Sequence, residues 1–164
     1  MKRAPITIFT TGGTIDKVYF DAKSEFQVGM PQIGELLREA NVTPEFRVES
    51  LFRKDSLDMS DVDRAEIRRR VVDCTSSRIL VTHGTDTMIA TGLALAGIEE
   101  KTIVLTGSMQ PARLRISDAV FNIGFAMAAV QLLSAGVYIA MNGQVFDPSV
   151  SVKNVAKNRF ESEN

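Results

Sequence analysis

Residues 79–87 read Ile79-Leu80-Val81-Thr82-His83-Gly84-Thr85-Asp86-Thr87, and the passage from an apolar run into a small, hydroxyl-bearing turn decides how the chain folds. Such a run, closed by Thr-His-Gly, predicts a buried strand that opens onto a loop; a helix then fits 86–96, with Gly97 suited to its end. The same construction occurs earlier, where Ile6-Thr7-Ile8-Phe9 runs into Thr11-Gly12-Gly13-Thr14-Ile15-Asp16. Each loop offers a glycine, a hydroxyl and a carboxylate within a few residues. Two such loops at neighbouring strand ends can face one another across one small polar ligand.

Working outward, strand-like segments fall near 6–10, 46–51, 78–82, 102–106 and 137–141, and helical ones near 31–40, 60–75, 86–96 and 117–134. This alternation predicts βαβ units and a mostly parallel central sheet, and the nearly continuous apolar strands predict cover on both faces. The second helix carries clear end signals: Ser60 as N-cap, Asp61 and Asp63 in the first turn, Arg68 to Arg70 in the last. Four strands close on Thr11-Gly12, Thr82-His83-Gly84, Thr106-Gly107 and Asn142-Gly143. In an open parallel sheet these ends share one edge, where ligands bind. Residues 1–154 read as one domain, and the polar stretch 155–164 reads as a loose tail.

The chain has 164 residues, 45% hydrophobic and 24% charged, with a net charge of −1. That length buries a real core, and that balance gives no electrostatic reason to expect nucleic acid or a membrane surface. No apolar run reaches membrane-spanning length. The start is basic, but its apolar run is too short for a signal-peptide core. A single cysteine, Cys74, cannot close an intramolecular disulfide and reads as a core residue; together these features point to the cytoplasm. One histidine and one cysteine provide no cluster with metal-ligand spacing, so neither a metal nor a cofactor is expected.

Gly12-Gly13 lets backbone N–H groups approach a ligand, and Thr14 then presents a hydroxyl, either as a nucleophile beside amide donors or as part of a plain strand-to-loop turn. The Gly-Lys-Ser/Thr ending of a phosphate-binding loop is missing. Thr85 and Asp86 form a second hydroxyl–carboxylate pair, equally suited to capping a helix. A neutral threonine is a weak nucleophile and needs a base. His83 is one candidate, although a lone histidine beside an apolar run is more often structural. Lys153 is the other: its local sequence reads as a solvated surface residue, so the role requires burial against a carboxylate.

Taken together and in order, Thr11-Gly12-Gly13-Thr14-Ile15, His83-Gly84-Thr85-Asp86-Thr87-Met88 and Thr106-Gly107-Ser108-Met109-Gln110-Pro111 resemble the bacterial-type L-asparaginase family, over residues 6–154. The resemblance implies a three-layer α/β sandwich like the N-terminal domain of asparaginases. It also implies an amidohydrolase that cleaves the side-chain amide of asparagine, and in some members glutamine, through an acyl-enzyme. Thr14 then resembles the first-loop nucleophile, and Thr85, Asp86 and Lys153 a relay that polarises a threonine hydroxyl. Ser56, in Asp55-Ser56-Leu57-Asp58-Met59, resembles the serine that binds the substrate α-carboxylate, and Asp86 meets the α-ammonium. N–H groups around Gly13 and Thr85 would form the oxyanion hole, and His83 becomes structural.

Three departures bear on substrate recognition. The mobile-loop tyrosine of the family is matched by Phe26, with Tyr19 nearby to replace it. The glutamine after the substrate-binding serine is Leu57. The family's C-terminal domain, which completes a neighbouring subunit's site with an acidic residue, lies beyond the end of this sequence. Two further readings are therefore carried: an amide- or amino-acid-binding regulatory module with little turnover, and an amidase for glutamine or another amide. The helix at 117–134 is apolar almost all round, which predicts either a core helix covered on every side or the interface of a homo-oligomer, dimer or tetramer. Arg68 to Arg70 read as a helix C-terminal face rather than a nucleic-acid patch, and Arg113 and Arg115 as solvated loop residues near a ligand entrance.

Overall fold

The computed structural model describes residues 4–163. Its centre is a six-stranded sheet built from β1 (Ile6–Gly12), β4 (Phe46–Lys54), β5 (Arg78–Thr82), β6 (Thr102–Thr106), β7 (Gly136–Met141) and β8 (Gln144–Phe146), in the order β4-β1-β5-β6-β7-β8. The first five strands are parallel, and only β8 runs antiparallel, against β7. The helices of the described residues are α1 (Ile33–Glu39), α2 (Asp61–Asp73), α3 (Met88–Ala94) and α4 (Ala119–Leu132). Every predicted strand and helix is present; β5 and β6 match their predicted bounds, β1, β4 and β7 run one to three residues longer, and each helix is three or four residues shorter than predicted.

Alternation along the strands divides the core in two. Phe9, Val81, Leu105 and Met141 point to one face, where Ile67 and Val71 of α2 and Met88 of α3 cover them. Ile8, Leu80, Val104 and Ala140 point to the other, beneath Ile33 and Leu37 of α1 and Ile123, Ala126 and Val130 of α4. The result is the three-layer α/β sandwich expected, with residues i and i+2 of each strand serving the same layer. Helix α2 begins as its sequence predicts. Ser60 Oγ accepts from Asp63 N–H, and the Asp63 carboxylate accepts in turn from Ser60 N–H, a complete capping box. Arg68 does more than face the helix end: its Nη1 donates to the carbonyls of Ala94 and Ala96, terminating α3.

One reading changes, one element was not foreseen, and one open alternative narrows. The stretch expected as a loose tail at 155–164 is ordered through residue 163, its last position lying outside the described residues: β10 (Arg159–Ser162) pairs antiparallel with β9 (Ser151–Asn154), and Phe160 is buried against Phe146. A second hairpin, β2 (Lys17–Phe20) and β3 (Glu25–Val28), stands apart as its own two-stranded sheet. Helix α4 is not covered all round within this chain. Its Ala119, Ile123, Ala126 and Val130 face the sheet, but Val120, Phe121 and Leu132 are exposed.

Candidate active site

The carboxyl ends of β1, β5, β6 and β7 lie along one sheet edge, and the loops leaving them pack so closely that several positions tolerate only glycine. Gly13 has φ +85, and a Cβ there would lie 2.5 Å from the backbone of Gly84. A Cβ on Gly84 would lie 2.5 Å from Ser56 Oγ. The first loop, the second loop and the turn after β4 thus meet at Gly13, Gly84 and Ser56. Hydrogen bonds hold this contact. Thr11 Oγ1 donates to Thr82 O at 2.8 Å, Thr87 Oγ1 donates to Ser56 O at 2.8 Å, and Gly13 N–H donates to Lys54 O at 2.9 Å.

On this floor the structure assembles Lys153, Thr85 and Asp86. Lys153 Nζ donates to Thr85 Oγ1 at 2.8 Å and to Asp86 Oδ1 at 2.6 Å. Thr85 is buried, and the Lys153 side chain is only 15% exposed, so it is not the solvated surface lysine that its local sequence suggests. It arrives on β9 after a turn at 148–150 whose Pro148 seats against Gly92 of α3. Ser56 Oγ is buried and has no hydrogen-bond partner among the described residues. A buried hydroxyl left in that state is a natural acceptor or donor for a bound ligand.

His83 is structural in its geometry. Its Nδ1 lies 2.7 Å from Gly84 O, an acceptor only, so Nδ1 carries the proton; Nε2 then accepts from Thr91 Oγ1 at 2.7 Å. Burial lowers its pKa to about 4 and keeps the ring neutral.

The first loop passes through Thr14, half-buried at the start of a tight turn (Thr14–Asp16), into the β2–β3 hairpin. Tyr19 and Phe26 are directly opposed across that hairpin, rings edge to face with centroids 5.5 Å apart. Tyr19 therefore occupies the same hairpin face as the residue it was expected to replace, and it is 53% exposed. The structure does not bring Tyr19 into hydrogen-bonding contact with Thr85, Asp86 or Lys153.

Several supporting residues carry no obvious signal in the sequence. Lys17 pairs with Asp55 at 2.8 Å, tying the hairpin to the Ser56 turn, and that hydrogen bond holds the Asp55 carboxyl below the usual range. Asp118 accepts from the N–H groups of Met109 and Gln110, and Asn122 Nδ2 donates to Gly107 O, fixing the third loop. Arg113 Nε donates to Gln32 Oε1 rather than projecting free. The only local hint of these contacts is an Asp at the head of α4 with an Asn one turn later.

Comparison with known proteins agrees with this fold. Residues 5–164 match the family described as "Asparaginase, N-terminal". The glutaminase-asparaginase of Pseudomonas aeruginosa is 30% identical over 181 aligned positions, covering 98% of this chain and 49% of that protein. A glutamyl-tRNA(Gln) amidotransferase component of Aeropyrum pernix is 34% identical over 159, covering 87% of this chain and 36% of that one. The structure of L-asparaginase I from Vibrio cholerae O1 biovar eltor superposes with a TM-score of 0.81 at 26% identity, over 99% of this chain and 52% of that one. This chain therefore spans about half the length, or less, of the relatives it matches. By its sequence over residues 5–164, and by a fold shared with solved asparaginases, the chain belongs to the asparaginase family, of which it represents the N-terminal domain.

Proposed function

We propose that this domain carries the hydrolytic centre of an L-asparaginase-like amidohydrolase, converting the side-chain amide of asparagine to a carboxylate and ammonia. The observation that carries the reading is the Lys153–Thr85–Asp86 cluster, closed at 2.8 and 2.6 Å beside the Gly13–Gly84–Ser56 contact. In this mechanism Thr14 Oγ attacks the amide carbon, the carbon–nitrogen bond breaks, and the nitrogen leaves as ammonia after taking a proton. Water polarised by Thr85 and Lys153 then opens the Thr14 ester and restores the hydroxyl. Gly13 N–H is already engaged by Lys54 O, so the oxyanion donors are the N–H groups of Thr14 and Thr85, which begin or precede helical turns and have no acceptor inside them. Ser56 Oγ takes a substrate carboxylate, Asp86 an ammonium, and Tyr19 closes over them from the hairpin. No cofactor is invoked.

A second reading, an amide on glutamine or on a larger molecule, is favoured by Leu57. It stands 72% exposed where a polar substrate contact was expected, and one relative belongs to a tRNA amidotransferase. The exposed apolar side of α4 supports self-association, to be read by light scattering, and the lone Cys74 supports a reducing, cytoplasmic setting.

The test is ammonia release from asparagine, glutamine and a panel of small amides by wild type, Thr14→Ala and Thr85→Ala. Wild type should exceed both variants on at least one substrate. A wild type no faster than both on every amide, yet binding aspartate, would instead establish a binding module.

A further inference from the structure

Asp16 lies two residues beyond Thr14 and is 2% exposed. Its side chain takes no part in the chemistry proposed above, yet its bonds converge from three directions. The main-chain N–H donates to Gly13 O at 3.2 Å, closing the turn around Thr14. The main-chain carbonyl accepts from Gly29 N–H at 2.8 Å, and Oδ1 accepts from Gln32 N–H at 2.9 Å. Gly29 and Gln32 flank the far end of the β2–β3 hairpin. One buried residue therefore joins the outgoing and returning ends of the excursion over 17–31. The neighbouring residue extends the junction, since Ile15 is fully buried and its carbonyl accepts from Ala112 N–H at 3.1 Å.

Among the described residues, nothing else holds the hairpin as firmly. Its strands pair only with each other, and a two-stranded ribbon is marginal alone in water. Tyr19, Phe20 and Phe26 are exposed along it. Its ion pair to the body, Lys17–Asp55, is partly solvated, which makes it a weak tether.

We propose that Asp16 is a positioning residue: its buried carboxylate and main chain clamp both ends of the hairpin and so set the placement of Thr14 and Tyr19 over the hydrolytic centre. The inference rests on the amidohydrolase reading for its consequence in turnover, and on hydrogen bonds alone for the clamp. The electrostatics agree: burial pushes the Asp16 carboxyl up to about 6, against the pull of Gln32 N–H. At neutral pH the fold thus retains a charge it disfavours, a pattern found where function rather than stability selects a residue.

The experiment pairs hydrogen–deuterium exchange with steady-state kinetics on the full chain, comparing wild type, Asp16→Ala and Asp16→Asn. The alanine variant should exchange the Gly29 and Gln32 amides about tenfold faster or more, with the core strands unchanged, and lose about tenfold or more in kcat. Asparagine keeps an acceptor oxygen and should restore both within roughly threefold. Unchanged exchange in Asp16→Ala overturns the clamp. Faster exchange with unaltered kcat overturns the positioning role, and failure of Asp16→Asn to restore protection overturns the acceptor role. Should Asp16→Ala not fold, Asp16→Ser, with a shorter acceptor, is expected to show the same loosening in smaller degree, and wild-type exchange from it overturns the clamp. A wild type without amidase activity refutes the reaction, while exchange still decides the clamp.

Discussion

Lys153 and Thr85 stand 68 residues apart in the chain and 2.8 Å apart in space, with the lysine Nζ donating to the threonine Oγ1. That bond and its companion to Asp86 are made by a residue that no strand-to-loop motif contains. Lys153→Met removes the donor while keeping an unbranched side chain, and the fold is expected to persist. Turnover should fall by roughly 10²- to 10⁴-fold, the range typical of a positioned proton-transfer group. Lys153→Arg should not rescue it, because a planar guanidinium presents its donors differently from an ammonium. Ammonia release under saturating substrate reads both.

Gly92 should act on the site from a distance. A Cβ there would lie 2.7 Å from Pro148 Cγ, in the turn that delivers β9 and Lys153. Gly92→Ala should destabilise the protein by about 1–3 kcal/mol through overpacking. It should also lower turnover at temperatures where the variant is fully folded. Gly124→Ala is the contrast, since a Cβ at that helical position meets nothing within 4 Å. It should stabilise by roughly 0.5–1 kcal/mol and leave turnover unchanged. Thermal unfolding and initial rates separate the two.

Ser56→Ala should divide stability from binding. The buried Oγ has no partner among the described residues, so its removal should leave stability unchanged or raise it by about 1 kcal/mol. If the hydroxyl serves a substrate carboxylate, KM should rise about tenfold or more with kcat less affected. A KM equal to wild type removes Ser56 from the substrate site.

Two buried groups give stability opposing dependences on pH. His83 has its pKa lowered by burial from 6.5 to about 4; the folded state binds fewer protons in that window, so stability is lost as pH falls from 6.5 towards 4. Asp16 is raised from 3.8 to about 6; the folded state binds more protons there, so stability is lost as pH rises through that window. Each effect is on the order of 3 kcal/mol when complete. Asp16→Asn should therefore match or fall below wild type near pH 4, exceed it by up to about 3 kcal/mol at pH 7, and rise more steeply between. Urea unfolding across that range tests the difference, and a constant difference at every pH refutes it.

Much of this protein is legible in its sequence because burial writes itself into composition. The strands Ile6–Gly12, Arg78–Thr82 and Thr102–Thr106 are apolar on both faces since helices cover both, and their ends carry the small and hydroxyl residues that a ligand edge needs. The hairpin over 17–28 was not legible because it lies mostly in solvent and leaves no apolar period to read. Helix α4 shows the converse limit: its sequence states that Val120, Phe121 and Leu132 are apolar, not what covers them.

The paired loops at Thr11–Asp16 and Thr82–Thr87, each at the end of an apolar strand, were determined by sequence alone, because strand, glycine and hydroxyl follow one another locally. What only the tertiary structure decided is how these groups are brought into contact. Lys153 reaches Thr85 because Pro148 seats on Gly92. Ser56 is left without a partner because Gly84 packs directly against it. Asp16 closes the hairpin because Gly29 and Gln32 return to its side. These are contacts between segments distant in sequence, set by close packing across the sheet edge, and no local pattern of residues encodes them.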